Sequence, residues 1–367
     1  MIDPVLLTRD LVRIDTRNPP GHEAAATTLL ADTLSDAGFS VRVQSFGEGR
    51  TNLVARIGDE GPATLFTGHV DTVPLGTVDW SVDPFGGEIR DGRIYGRGTT
   101  DMKAGVAAMV AAAIAEADRI RERGALVLAF TGGEETGSEG AQYLVAEGKL
   151  GEISAIVVGE PTANRFLAGH KGALWLRCGC RGVTAHGSTP HLGDNAIYKA
   201  ARSVLRLETF DFGIDDHPIM GKPTLNIGTI SGGQNINSVP DRAEFTVDIR
   251  SIPGLVHESV RGEVQAKAGA ETAIETIIDL PSVWSDPAGA IMAKMAAAVS
   301  SATGRPTEAA SANYFTDASV FTPALGFPPT LICGPGDPDM AHKTDEYCET
   351  VRIAESVAIY RTILAGL

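Results

Sequence analysis

The stretch LFTGHVDTVP, residues 65–74, decides how the chain is organised, because it reads as a buried strand that ends in two polar side chains. Residues i and i+2 of an extended segment point to the same side, so His69 and Asp71 are expected to face one site. An imidazole that binds a metal through one nitrogen commonly donates its other N–H to a carboxylate. The pair therefore fits a metal ligand and its orienting partner, with two unrelated polar residues at a strand end as the alternative.

Length and charge set the class of protein. The chain has 367 residues, 43% hydrophobic and 21% charged, which predicts a globular protein of two domains. The formal net charge of −15 and the lack of a Lys/Arg-rich run argue against a nucleic-acid partner. Strands that alternate with helices predict an α/β layer structure.

The beginning of the chain and its cysteines bear on location. The first residues, MIDPVLLTRDLVRID, lack the basic and apolar regions of a secretory signal, and the apolar stretch Ala104–Ala115 is too short to span a bilayer. Four cysteines are too few for a disulfide framework. We expect a cytoplasmic protein without a membrane partner.

More chemistry-bearing side chains stand where apolar strands end. Ligands bind at the carboxyl edge of open α/β sheets, so such residues are expected to meet. The side chains at these strand ends are Glu134 and Glu135 after the strand Ala125–Phe130, Glu160 after Ala155–Gly159, and His342 beyond Pro329–Cys333.

Adjacent carboxylates such as Glu134 and Glu135 raise one another's pKa in a dry site, and a cation removes the conflict. One of them can bind the metal while the other takes a proton from water. A solvated acidic turn is the alternative. Two imidazoles and three or more carboxylates at one edge suit two zinc ions about 3.5 to 4 Å apart, one carboxylate bridging them.

Asp101 opens a predicted helix, Met102–Ala117, and an N-cap is its simplest role. The preceding Tyr95-Gly96-Arg97-Gly98 looks like a phosphate loop only in part, because Asp101 stands where the third glycine of G-x-G-x-x-G belongs. A nucleotide-binding α/β protein is therefore disfavoured.

Five ordered segments carry a family resemblance: GHVDTVP, GRGTTDMKAG, TGGEETGS, VVGEPT and AHKTDEY. Together they resemble the zinc-dependent deacylase and carboxypeptidase family that includes acetylornithine deacetylase, succinyl-diaminopimelate desuccinylase, glutamate carboxypeptidase and aminoacylase. The resemblance implies two Zn²⁺ ions, with Co²⁺ or Mn²⁺ as possible substitutes. It implies these roles: His69 and Glu160 on one metal, Glu135 and His342 on the other, Asp101 bridging, Glu134 as general base, and Asp71 orienting His69. It also implies a cis peptide between Asp101 and Met102.

The middle of the chain differs from its flanks. Its predicted order, β-α-β-β-α-β, fits a ferredoxin-like insert at residues 174–282 between two parts of a mixed-sheet catalytic domain, 1–173 and 283–367. Members of the resembled family commonly dimerise through such an insert, so a homodimer is expected.

Within the insert, three polar residues match positions that contact substrate in the resembled family. His186 is expected to reach the partner's site and stabilise the oxyanion, while Asn237 and Arg250 are expected to hold the substrate's carboxylate or oxyanion. Surface polar residues are the alternative. Tyr314, Thr316, Asp317 and His191 receive no assigned role.

These features predict a di-zinc amidohydrolase in which a metal-activated water cleaves the amide bond of an N-acyl amino acid or short peptide. The stretch GPGDPDMAHKTDEY favours a likeness to acetylornithine deacetylase. A glutamate-type carboxypeptidase or succinyl-diaminopimelate desuccinylase uses the same parts and stays an alternative. A non-enzymatic binding module predicts gaps among the catalytic residues, and the sequence has none.

Overall fold

A computed structural model describes residues 2–59 and 61–366, and the chain divides into two compact units. Unit 1 comprises Met1–Gly169, Trp284–Ser311 and Thr316–Leu367, and unit 2 comprises His170–Val283 and Ala312–Phe315. The sequence predicts the insert at residues 174–282, a range that lies within unit 2. The role of the insert in dimerisation stays a prediction.

The elements follow one another as an α/β chain. The strands are β1 (Ser40–Gly47), β2 (Arg50–Gly58), β3 (Ala63–His69), β4 (Ile89–Arg90), β5 (Arg93–Tyr95), β6 (Ala125–Thr131), β7 (Ile153–Val158), β8 (Leu167–His170), β9 (Gly172–Arg181), β10 (Thr224–Gly232), β11 (Arg242–Ser251), β12 (Thr272–Leu280), β13 (Val283–Trp284), β14 (Ala310–Ala312), β15 (Thr330–Ile332) and β16 (Tyr347–Glu349). The helices are α1 (Pro4–Val12), α2 (Ala24–Asp36), α3 (Ala104–Ala115), α4 (Ala117–Arg123), α5 (Glu139–Glu147), α6 (Ala196–Leu207), α7 (His257–Ala268), α8 (Ala290–Thr303), α9 (Ala318–Ala324) and α10 (Thr350–Gly366). Short helical turns lie at Thr99–Lys103, Pro190–Leu192 and Pro338–Met340.

The main sheet of unit 1 is mixed, with its strands in the order β1-β2-β6-β3-β7-β15-β8-β13 and β14 beside β8. The strands β6, β3, β7 and β15 run parallel, whereas β1 and β2 are antiparallel to their neighbours. Helices cover both faces of a parallel sheet, so its strands are continuous apolar runs, and every residue of β3 is buried. The carboxyl ends of β6, β3 and β7 therefore meet at one edge.

Helix α3 is the central helix of unit 1. Its sequence, AGVAAMVAAAIA, is apolar on all sides, and nearly every residue is buried. A side chain on Gly105 would approach the Gly159 carbonyl to 2.2 Å, so only glycine lets α3 pack against the end of β7. The helix begins at Ala104, later than the predicted Met102, because Asp101 and Met102 have non-helical backbone angles.

Unit 2 has the order β9-α6-β10-β11-α7-β12, and its antiparallel strands lie in the spatial order β10-β11-β9-β12. Burial alternates along β11, as expected for a strand with one face on a core. The helices α6 and α7 contribute Ala200, Val260 and Val264 to that core. The predicted fold class, a mixed-sheet domain with a ferredoxin-like insert, is confirmed.

A smaller sheet of unit 1 joins β16, β5 and β4. Its pairing of Tyr347 with Tyr95 brings the end of the His342 segment to the beginning of the Asp101 segment. Across the described part of the chain, no helix has the length and apolarity needed to cross a bilayer.

Candidate metal centre

The end of β3, the turn before α3 and the end of β7 bring the first group of ligand-type atoms together. His69 Nε2 lies 3.1 Å from Asp101 Oδ1 and 3.7 Å from Glu160 Oε1. Each of the three side chains offers one such atom, and these atoms all lie within 4.8 Å of one another. His69 and Glu160 are almost fully buried, so the group is a closed cluster at the sheet edge.

The second group shares Asp101 with the first. His342 Nε2 lies 3.3 Å from Asp101 Oδ2 and 3.2 Å from Glu135 Oε2. Asp101 thus turns one carboxylate oxygen to each imidazole, and its peptide bond to Met102 is cis, as the resemblance implied. His342 has a positive φ of 63°, a conformation that non-glycine residues adopt rarely.

The two groups fit metal ligands, because their three carboxylates lie close together and outnumber their two imidazoles. Glu135 Oε1 is buried and has no hydrogen-bond partner among the described residues. Isolated buried carboxylates are costly, and a cation satisfies them. The set of imidazole and carboxylate donors is the one that zinc and its neighbours in the first transition row prefer.

The pKa values of the side chains in this site reflect the crowding of buried carboxylates. Burial, together with neighbouring carboxylates, raises the pKa of Glu134, Glu135 and Glu160. Hydrogen bonds to Asp101 and Glu135 raise the pKa of His342 to about 10. Carboxylates that stabilise a proton on this imidazole can stabilise a metal ion bound in the proton's place.

Asp71 lies behind the two groups and fixes the turn that carries Glu134 and Glu135. Its carboxylate accepts hydrogen bonds from the backbone N–H of Glu134 at 3.2 Å and of Glu135 at 3.3 Å. The Nδ1 of His69 contacts the backbone carbonyl of Asp71 at 2.9 Å, while the nearer carboxylate oxygen lies at 3.6 Å. In this geometry the carbonyl orients the imidazole and the carboxylate orients the turn.

The three predicted substrate contacts of unit 2 lie in two places within that unit. His186 and Asn237 are neighbours on an exposed loop pair, where the Gly187 N–H donates to the Asn237 carbonyl at 2.7 Å. Arg250, near the end of β11, is held by Asp248 at 2.9 Å. Their roles stay predictions.

Two further polar residues lie around the centre, and the sequence assigns a role to neither of them. Asp317, just before α9, is buried and accepts a 2.5 Å hydrogen bond from Thr131 Oγ1, and burial raises its pKa to about 6. Asn18 donates to the Asp71 carboxylate at 3.0 Å. Each is far in sequence from its partner, so only the fold brings them to the site.

Unit 2 also contains a serine, a histidine and an aspartate in hydrogen-bonded series. His257 Nε2 lies 2.7 Å from Ser251 Oγ, and His257 Nδ1 lies 2.6 Å from Asp279 Oδ1. Ser251 is fully buried, and its hydroxyl fills the space where Gly172 lacks a side chain. A nucleophile must reach its substrate, so this series is a structural link among β11, α7 and β12.

Comparisons with known proteins identify the relatives of this chain. The sequence model of Peptidase family M20/M25/M40 matches residues 65–366. Proteins named succinyl-diaminopimelate desuccinylase are 34% identical in Rhodospirillum centenum, covering 99% of this chain and 96% of that protein, and 35% identical in Cereibacter sphaeroides, covering 99% and 98%.

Solved structures share the fold. An M20 family metallo-carboxypeptidase from Sulfolobus solfataricus superposes with a TM-score of 0.84 at 16% identity, covering 99% of both chains. An aminopeptidase from Bacillus cereus gives a TM-score of 0.76 at 22% identity, covering 98% of this chain and 97% of that one. At such identities the likeness speaks for the fold alone.

Proposed function

The chain belongs to peptidase family M20/M25/M40 and is a metal-dependent amide hydrolase, and from this premise we propose that it cleaves N-acyl amino acids at a two-metal site. The observation that carries the proposal is the shared carboxylate of Asp101, which turns one oxygen to His69 and the other to His342. A carboxylate so placed suits a bridge between two ions.

We assign His69 and Glu160 to one ion, Glu135 and His342 to the other, and Asp101 to both. Zinc is the proposed metal, because imidazole and carboxylate donors suit it, with Co²⁺ and Mn²⁺ as substitutes. When bound, such ions polarise an acyl carbonyl and lower the pKa of water.

Glu134 is the proposed general base. Its carboxylate is nearly buried and close enough to Glu160 for their charges to interact, while its backbone is fixed by Asp71. From this position it takes a proton from the attacking water and returns it to the nitrogen of the leaving amine.

The proposed substrate carries a free carboxylate. The names of the relatives at 34% and 35% identity support N-succinyl-diaminopimelate as the substrate ahead of N-acetylornithine, although the sequence by itself favours N-acetylornithine. Arg250 is the proposed contact for that carboxylate, His186 the proposed oxyanion donor and Asn237 a proposed substrate contact. A cytoplasmic location stays a prediction.

We also propose a homodimer formed through unit 2. The strand β10 lies at the edge of its sheet, contains no charged residue and is mostly exposed, which makes it a template for pairing with a second copy. Exposed apolar side chains on α6 and β10 accompany it, among them Tyr198, Leu205 and Ile230.

The test is a set of rates measured with the zinc-loaded protein on N-succinyl-diaminopimelate, N-acetylornithine and a peptidyl-glutamate. We expect hydrolysis of an acyl amino acid, with the succinyl compound the best substrate by kcat/KM. The Glu134→Gln protein, loaded in the same way, controls for contaminating activity. If the loaded wild-type protein cleaves none of the three compounds, the proposal is rejected.

A further inference from the structure

A buried ion pair of unit 1 lies outside the two ligand groups. Arg97 Nη1 contacts Glu346 Oε2 at 2.6 Å, and both side chains are almost completely buried. Burying two charges costs several kcal/mol for each ion, and apolar residues of similar size often stabilise a core equally well. The pair therefore calls for an explanation beyond stability.

The Glu346 carboxylate fixes the backbone that leads to Asp101. It accepts hydrogen bonds from the N–H groups of Gly98 at 3.0 Å, Thr100 at 2.7 Å and Asp101 itself at 3.1 Å. With the guanidinium of Arg97, it has four donors. This short segment has irregular backbone angles, so its N–H groups depend on the carboxylate for acceptors.

The Arg97 guanidinium fixes the other two segments. It donates to the carbonyls of Lys343 at 3.2 Å and Pro74 at 3.2 Å, and more weakly to that of His342 at 3.5 Å. Pro74 follows His69 and Asp71 in the chain, and Lys343 follows His342. The five donors of a planar guanidinium suit such a task, whereas an ammonium is a single point of charge.

We propose that Arg97 and Glu346 are positioning residues that hold three ligand-bearing segments, those of His69, Asp101 and His342, in register for two metal ions. The inference rests on the proposed two-metal site and adds to it. His342 depends on the pair most, because its segment contains Glu346 and two of the carbonyls that Arg97 contacts, and its positive φ needs support from its surroundings. Loss of the pair therefore weakens the ion held by Glu135 and His342 more than the ion held by Glu160.

The test is metal affinity, measured by titrating zinc into the chelator-treated protein against a competing chromophoric chelator. Wild type is expected to bind two ions. Glu346→Gln keeps the size of the side chain but removes its charge and one acceptor, and we expect one ion to bind 10- to 100-fold more weakly, as for other residues that orient metal ligands. The other ion is expected to lose less affinity than this. Glu346→Asp keeps the charge and is expected to recover part of the loss.

Two further variants separate positioning from stability. Arg97→Lys keeps the charge but not the fork of donors, and it is expected to resemble Glu346→Gln. Leu34→Ala leaves a cavity in the buried face of α2, which lowers stability without touching the pair, and it is expected to bind both ions as wild type does. Wild-type metal affinities in Glu346→Gln and Arg97→Lys would overturn the inference and leave the proposed site standing. An equal loss of metal affinity in Leu34→Ala would do the same. A wild-type protein that binds fewer than two ions would overturn the proposed site together with it.

Discussion

Among single residues, Glu134 and Glu135 are neighbours in sequence with different proposed tasks. Glu135 lies 3.2 Å from His342, whereas Glu134 has no ligand-type contact in the two groups. The two residues nevertheless share one anchor, because Asp71 accepts a hydrogen bond from the backbone N–H of each.

This difference predicts separate effects of two isosteric substitutions. Glu134→Gln is expected to lower kcat by about 10² to 10⁴-fold, the usual contribution of a general base, with two ions still bound. Glu135→Gln is expected to lose one ion. Rates and metal content of the same preparations check this, and loss of metal from Glu134→Gln would show that its role is misassigned.

The orienting residue Asp71 has a prediction of its own. Asp71→Asn keeps the size of the side chain but places an amide where two N–H groups need acceptors, so one of them faces a donor. We expect turnover to fall at least tenfold, in line with the loss of a group that orients metal ligands. Metal content is expected to fall less than in Glu135→Gln. Unchanged turnover would mean that the turn holds its position without Asp71.

Among the secondary-structure elements, α3 and β7 set the position of Glu160. Gly105→Ala would place a methyl group 2.2 Å from the Gly159 carbonyl, and overpacking of this kind costs about 1 to 3 kcal/mol. Gly262→Ala in α7 is the matched control, because nothing lies within 4 Å of the added atom. It should stabilise the protein by up to about 1 kcal/mol through helix propensity.

Denaturant unfolding of these two variants, with metal removed, measures both effects. Equal stability in the two proteins would contradict the close packing of α3 on β7. The Gly105→Ala protein should also bind metal more weakly, because the residue after the displaced carbonyl is Glu160.

The order of the strands shows how far the sequence predicts the site. The carboxyl-edge rule anticipates that His69, Glu135 and Glu160 meet, because each stands at or just past the end of one of three adjacent strands. It does not anticipate Asp317, Asn18 or the partnership of Arg97 with Glu346. These contacts join residues far apart in the chain, and no local propensity or period encodes which buried charge meets which.

For the whole molecule, the response to acid has a defined component from His170. Its Nδ1 contacts the Lys171 carbonyl at 2.8 Å, its Nε2 is buried with no partner among the described residues, and burial lowers the pKa of the ring to about 4. The unfolded chain, with a pKa near 6.5, binds the proton more readily than the folded one. The contribution of the neutral ring to the free energy of unfolding is therefore fully present above pH 6.5 and is lost as the pH falls towards 4.

We expect this component to reach about 3 kcal/mol across that window. Unfolding free energies of the metal-free protein at pH 4 to 7 check it, and His170→Asn should flatten the slope relative to wild type. The same substitution at the exposed His191 controls for the loss of an imidazole as such. An identical slope in wild type and His170→Asn would contradict the buried, neutral ring.

The proposed dimer is the second property of the whole molecule. Leu205→Glu places a charge on the exposed apolar face of α6, and we expect it to shift the mass seen in sedimentation from dimer to monomer. Val78→Glu, at an exposed apolar residue of unit 1, is the control and should leave the mass unchanged. A wild-type protein that sediments as a monomer would reject the dimer.

The most direct measurement of the central claim is anomalous X-ray scattering from crystals of the zinc-loaded protein. The convergence of His69, Asp101, Glu135, Glu160 and His342 predicts two zinc peaks about 3.5 to 4 Å apart, with Asp101 in contact with both. A single peak, or peaks away from Asp101, would contradict it.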